Sequence, residues 1–291
     1  MKLSLGSLLA GITCVLTAAE SSATDYQVIA SPLTHCSSVD SCMDQTACPS
    51  GLFALGGGII GDQSIVESSY PFIAGDQRGW EIGFRGAFYE YGVAAHANAT
   101  GYVICSTNPG GYTSLPSLPV NCAIGDVPNC VAGVTCPAGW TLLSGGIRGT
   151  KAASENGLWS ADGTWVVTWY PDSADYGSTV ESTVQSYAIC GHTPPDGLQQ
   201  VSGAGNVCSD NPPSCQDTVT CPVGTVLIGG GFYGDQAEVE SMGPLTASTW
   251  KVTWYNATDQ FGATPRAFGQ ASATCASGQP PDPIFASSFE I

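Results

Sequence analysis

Basic side chains are the scarcest chemistry in this chain: 7 Lys and Arg stand against 24 Asp and Glu, and only 11% of the 291 residues are charged. A surface this acidic repels phosphate backbones and anionic bilayers, so neither nucleic acid nor membrane is expected as a partner. Histidine is rarer still, with only His35, His96 and His192. The chain has no G-x-S-x-G elbow, no H-E-x-x-H, no P-loop and no dinucleotide fingerprint. C-x-x-C knuckles of the kind that hold zinc are missing too. Beyond the N-terminus no run reaches the roughly 20 apolar residues needed to cross a bilayer. Glycine, at 37 residues, is abundant, and no stretch reads as a long helix, which suits a loop-rich β protein.

Residues 1–23 read as an export signal. Lys2 supplies the positive start, Leu3 to Ala19 the apolar run, and Ser21-Ser22-Ala23 the small residues ahead of a cleavage site. A lipoprotein signal built on Cys14 is the alternative, with a poor lipobox in Gly11-Ile12-Thr13. Loss of the signal removes Cys14 and leaves an even number of cysteines, which in an exported chain points to disulfides. The expected location is therefore secreted, extracellular or at the cell surface.

Self-similarity is the strongest signal. Cys48-Pro49-Ser50-Gly51, Cys136-Pro137-Ala138-Gly139 and Cys221-Pro222-Val223-Gly224 open three segments, each followed by a glycine cluster: Gly56-Gly57-Gly58, Ser144-Gly145-Gly146 and Gly229-Gly230-Gly231. Each then carries a glutamate (Glu67, Glu155, Glu240), a tryptophan (Trp80, Trp165, Trp250), an aromatic-glycine pair beginning at Tyr91, Tyr176 or Phe261, and a closing cysteine (Cys105, Cys190, Cys275). The repeats span about 36–105, 122–190 and 208–275 within a β domain of residues 24–275. Each owns four cysteines, which allow three pairings. The favoured scheme joins opening to closing cysteine, as Cys48–Cys105, Cys136–Cys190 and Cys221–Cys275, with small loops closed by Cys36–Cys42, Cys122–Cys130 and Cys208–Cys215.

Each repeat reads as about four short strands. In the third they are Thr225 to Ile228 running into Phe232-Tyr233, Ala237 to Ser241, Trp250 to Tyr255, and Ala267 to Thr274. Glycine clusters inside a strand imply a bulge or a close backbone approach. The tryptophans open alternating strands and are expected in the core. Four strands bury too little on their own, so the expected fold is all-β: three pseudo-symmetric four-stranded repeats forming a disulfide-stapled β-prism. Three separate small domains on linkers is the competing architecture.

Three glycine-rich Greek-key repeats with paired cysteines resemble the type I β-prism of the vitelline membrane outer layer protein, in architecture rather than in close sequence match. The C-P-x-G…G-G-G…W…C pattern also resembles that of many exported bacterial proteins. The prism resemblance implies carbohydrate contact or a coat role. Residues 276–291 form a Pro-rich linker and a tail whose Ile-Phe…Phe-Glu ending resembles a C-terminal tag of exported proteins in some gammaproteobacteria, implying surface sorting or secretion. The alternative is a plain disordered end.

Two sets of candidate site residues follow. Glu67, Glu155 and Glu240 would meet at a threefold axis and could bind Ca²⁺ or serve acid catalysis; alternatively, each caps its own turn by accepting backbone N–H bonds. No other cofactor is expected. Tyr91, Tyr176 and Phe261, with Glu90, Asp175 and Asp259, would stack on sugar rings and accept their hydroxyl protons; alternatively, the aromatics are tucked-in turn anchors. The first repeat breaks the pattern with three extra residues before Trp80 and with Arg78 and Arg85 nearby, a departure that would suit specialised chemistry. The leading expectation is a non-catalytic binding or surface protein that takes glycan or a cell-surface polymer through repeated loops. A structural coat protein and a carboxylate-dependent glycan-active enzyme are the alternatives. Sequons at Asn98 and Asn256 would matter only in a eukaryotic secretory route.

Overall fold

A computed structural model describes residues 26–37, 41–91, 96–107, 110–123, 130–172, 180–208, 214–257 and 266–278. The export signal and the C-terminal tail lie outside them.

The first segment forms β1 (Tyr26–Ala30), β2 (Thr34–Cys36), β3 (Cys42–Ala47), β4 (Phe53–Asp62), β5 (Ser64–Ala74), β6 (Gln77–Gly86), the one-turn helix α1 (Phe88–Tyr91) and β7 (Ala97–Ser106). The second forms β8 (Tyr112–Pro116), β9 (Val120–Ala123), β10 (Cys130–Thr135), β11 (Thr141–Thr150), β12 (Ala152–Trp159), β13 (Thr164–Pro171) and β14 (Glu181–Gly191). The third forms β15 (Gln199–Ser202), β16 (Asn206–Cys208), β17 (Cys215–Thr220), β18 (Thr225–Asp235), β19 (Ala237–Pro244), β20 (Thr249–Asn256) and β21 (Ala267–Ser277). The four strands expected in each repeat are present, β18 to β21 in the third. Three more per segment are short strands of three to six residues. Among them, β9, β15 and β16 alternate only weakly in burial and carry little apolar pattern to read.

The strands form three antiparallel seven-stranded sheets, and no sheet belongs to one segment. The first sheet joins β1, β2, β7 and β4 to β19, β20 and β17; the second joins β3, β6 and β5 to β11, β14, β8 and β9; the third joins β10, β13 and β12 to β18, β21, β15 and β16. Each segment gives four strands to one sheet and three to the next, and the third segment closes back on the first. Three separate beads on linkers are thereby excluded. One hydrophobic core runs through all three segments, with Trp80, Trp165 and Trp250 buried in it.

The glycine clusters make this closure possible. Each lies just past a bulge, where the register skips between Ala54 and Gly56, Leu142 and Ser144, or Leu227 and Gly229. At the middle position of the cluster a side chain would overlap the indole ring: Gly57 under Trp80, Gly145 under Trp165, Gly230 under Trp250. The last position faces the preceding segment's backbone in cyclic order, Gly58 against Met242, Gly146 against Ser69 and Gly231 against Gly157. The first position links the segments to one another. A Cβ on Gly56 would come within 2.5 Å of the Ile228 carbonyl oxygen, one on Gly229 within 2.6 Å of Ser144 Cβ, and Ser144 Oγ donates to the Leu55 carbonyl.

All six disulfides pair as expected. The short ones pin corners between sheets: Cys36–Cys42 joins β2 to β3, Cys122–Cys130 joins β9 to β10, and Cys208–Cys215 joins β16 to β17. This density of bridges fits an oxidising, extracellular environment. Among the described residues no helix is long and apolar enough to cross a membrane.

Two predictions follow from this packing. Gly57→Ala, Gly145→Ala or Gly230→Ala is expected to cost ~1–3 kcal/mol through overpacking against the indole. Gly157→Ala, whose methyl would meet only the Trp165 ring at 3.7 and 3.9 Å, should stay within ~0.5 kcal/mol of the parent; thermal melts of the four variants compare them. Removing Cys221–Cys275, with a sequence separation of 54, should cost about 4 kcal/mol by loop entropy. Removing Cys208–Cys215, with a separation of 7, should cost only about 2 kcal/mol. Denaturant titration of paired Cys→Ala variants reads the difference.

Candidate functional site

The three glutamates occupy equivalent places, but not the ones expected. Each is the extra residue of a second bulge, where the register skips from Val66 to Ser68 in β5, from Ser154 to Asn156 in β12 and from Val239 to Ser241 in β19. The bulge turns a residue that would face outward into the interior, and all three are buried. Glu155 accepts bonds from the Tyr170 hydroxyl and, at 2.9 Å, from Thr168 Oγ1. Glu240 accepts from the Tyr255 hydroxyl. Glu67 accepts from Ser41 Oγ and lies 3.6 Å from Arg85 Nε.

Glu155 and Glu240 do accept backbone N–H groups, yet the turn each of the two caps belongs to another segment. Gln63 N donates to Glu240 at 3.1 Å and Gln236 N to Glu155 at 3.2 Å. Gln63, Lys151 and Gln236 sit at equivalent one-residue turns with left-handed φ of 53°, 55° and 57°. Such a backbone is strained for residues other than Gly, and at Gln63 and Gln236 the neighbour's carboxylate holds it. The own-turn alternative is corrected accordingly: Glu155 and Glu240 fasten one segment to another. Among the described residues no group of three or more His, Cys, Asp or Glu has the arrangement to hold a metal ion.

Arg85 stands where the other segments have Tyr170 and Tyr255, five residues past the tryptophan. It is fully buried, and its guanidinium also pairs with buried Asp172, at the position held elsewhere by Ala87 and Ala257. The substitution of Arg for Tyr in segment one is thus answered by Asp for Ala in segment two. Arg85→Met should cost about 3–5 kcal/mol, because it strands a buried carboxylate. The double variant Arg85→Tyr with Asp172→Ala, which restores the pattern of the other segments, should recover most of that loss in equilibrium unfolding.

Tyr170 and Tyr255 have hydroxyls pushed well above the usual tyrosine range, first by burial and then by the adjacent Glu155 and Glu240. An unfolded tyrosine ionises near pH ~10, so above that pH the unfolded chain holds fewer protons than the folded one. The stability present below pH ~10 is expected to fall as pH rises further. Denaturant midpoints between pH 8 and 11 should show this fall, and a combined Tyr170→Phe, Tyr255→Phe variant should show a shallower one.

Of the expected sugar-stacking loops, only Tyr91 is fully described, and it is a tucked-in anchor. It packs edge-on against Tyr255, ring centroids 5.9 Å apart, beside Ile65, Ala87 and Ala153. Tyr176, Phe261, Asp175 and Asp259, and the side chain of Glu90, lie outside the described residues. His96 is exposed just before β7, its N–H bonded to Gln63 Oε1 at 3.3 Å, rather than inside a strand. Asn256 is buried, its amide oxygen accepting from Ala267 N at 2.9 Å, so its sequon is closed in the folded chain.

The accessible aromatic chemistry lies elsewhere, at the other end of β4. Phe53 opens that strand and Tyr112 opens β8, with ring centroids 5.2 Å apart. Arg78 from β6 lies over Phe53, its Cζ 4.4 Å from the ring centre. The neighbouring strand ends add Trp140, just before β11, and exposed His192, just after β14, with centroids 5.4 Å apart. Gly111 joins the two pairs: a Cβ there would come within 2.9 Å of His192 Cβ and 3.7 Å of Trp140. Phe53, Arg78, Tyr112 and Trp140 are all partly exposed. The three extra residues of the first repeat lengthen the β5–β6 hairpin, which pairs on to Ala74 and Gln77 and carries Arg78 to this spot.

A second polar group lies at the seam of the second sheet. The Tyr70 hydroxyl and Gln45 Nε2 both donate to Glu81, Tyr187 packs on Tyr70 with centroids 5.0 Å apart, and Arg148 lies over Tyr70 at 5.4 Å.

Neither aromatic group follows the repeat. The positions of Phe53, Arg78 and Trp140 are held in the third segment by Val226, Ser248 and Thr225. Such departures from the pattern were the signal available in the sequence, and the first repeat's extra residues with Arg78 carried part of it. No family model matches the chain, and no curated protein matches it in sequence.

Proposed function

We propose that this is an exported, non-catalytic glycan-binding protein whose disulfide-braced body is a three-walled β-prism. The cyclic sharing of strands and the three corner disulfides support the prism, with pseudo-threefold symmetry relating the segments. The observation that carries the binding reading is the row Phe53–Tyr112–Trp140–His192 with Arg78 at one end. Flat, partly exposed rings stack on the apolar faces of sugars, and the polar atoms beside them meet the hydroxyls. The row sits on strand ends pinned by Cys48–Cys105 and Cys136–Cys190, so its spacing is fixed before a ligand arrives.

Carboxylate catalysis fits less well. Glu67, Glu155 and Glu240 are sealed in the interior and occupied by tyrosine, arginine, serine and backbone donors. A substrate would have to displace contacts that hold the segments together.

Calorimetric titration of the mature protein with a panel of plant, algal and animal oligosaccharides tests the reading. Saturable binding is expected, weakened at least ~10-fold, or about 1.4 kcal/mol, by Trp140→Ala with an unchanged melting temperature. Absence of binding across the panel, or binding indifferent to Trp140 and Tyr112, would remove it.

A further inference from the structure

We propose that the ligand taken by the ring row is an acidic saccharide, a uronate-bearing chain whose carboxylate is received between Arg78 and Tyr112. The inference rests on the glycan reading and specifies its chemistry.

Three observations carry it. Arg78 Nε and the Tyr112 hydroxyl are both buried and have no hydrogen-bond partner in the protein. Both flank Phe53, Arg78 over its face and Tyr112 beside it, and each can donate. Two neighbouring donors without an acceptor are costly, at roughly 1–3 kcal/mol per buried group. A neutral hydroxyl would serve one of them. A carboxylate, which only accepts and offers two oxygens, would serve both and add charge assistance from the guanidinium.

The second observation is the lack of a competing anion. Neither ion pair of Arg85 involves Arg78, and no carboxylate among the described residues neutralises it. Asp76, in the hairpin turn two residues away, is exposed and forms no ion pair with it. Third, the chain carries a formal net charge of −17. A free guanidinium lying over Phe53 at one end of the ring row is a local exception to that field, and an acidic ligand has few other places on this surface to bind. The rings supply the stacking platform and Arg78 the selection for the acid.

The test uses matched pairs: oligogalacturonate, oligoalginate and hyaluronan tetrasaccharides, each beside its methyl ester, which keeps rings and linkage but loses the charge. Binding to the mature, oxidised protein is measured by calorimetry at low salt. At least one acid is expected to bind 10-fold or more tightly than its ester, with affinity falling as salt rises. Arg78→Gln should erase that preference while leaving ester binding in place, Arg78→Lys should keep part of it, and Trp140→Ala should weaken both members of the pair. Equal binding of acid and ester, or a preference unaffected by Arg78→Gln, overturns the acidic assignment and leaves the glycan reading standing. Binding of neither form while neutral sugars of the wider panel bind also overturns it. Failure of every saccharide removes both. Melting temperatures of the variants confirm that the fold is intact in each arm.

Discussion

Everything in this molecule depends on how closely three backbones can approach one another. Without a Cβ at Gly57, Gly145 and Gly230, the indoles of Trp80, Trp165 and Trp250 lie directly on a strand of their own segment. With none at Gly58, Gly146 and Gly231, the same strand also meets the backbone of another segment. The first position of each cluster brings the segments into mutual contact, through Gly56, Ser144 and Gly229. One short motif therefore sets the core, the seam and the meeting of segments at once. Glycine in a strand weakens it locally; here that cost is offset by burying three tryptophans and by closing the sheets into a ring. The disulfides add to this geometry at the corners, where the strands are shortest.

Much of this was legible in the sequence because it repeats. The cysteine pairing, the buried tryptophans and the bulges beside the glycine clusters each had three instances in register. The strand exchange was not legible, since a strand's apolar face is satisfied equally by a partner in its own segment or in another. The short strands, such as β9 and β16, carry too few residues to show alternation. The glutamates were recognised as equivalent, but their role depends on a one-residue skip in pairing that leaves no mark in the residues themselves. The ring row was the least visible, because its five side chains come from positions 53, 78, 112, 140 and 192 and only the fold brings them to one edge.

A threefold body places its departures from symmetry in relief. Arg85 with Asp172 breaks the pattern at one end of the strands, Arg78 with Phe53 and Trp140 breaks it at the other, and Tyr70, Glu81, Arg148 and Tyr187 break it between them. In each case one partner comes from the first segment and the other from the second. Each segment carries two basic residues, Arg78 and Arg85, Arg148 and Lys151, Lys251 and Arg266, but the three arginines in these groups come from the first two segments.

These departures separate two demands on the same architecture. Stability is served at all three seams through glycine and tryptophan, and Glu155 and Glu240 add caps to neighbouring turns. The meeting of the first and second segments carries the added charge and exposed aromatic surface, and the buried Arg85–Asp172 pair between them is no more favourable than the tyrosine and alanine found elsewhere. A structural coat would have no use for a single distinguished seam, because identical walls pack as well as different ones. A ligand site does, since one surface can then change while the other two keep the ring closed. The symmetry supplies rigidity, and the departure from it supplies the place where binding chemistry can be built without loosening the fold.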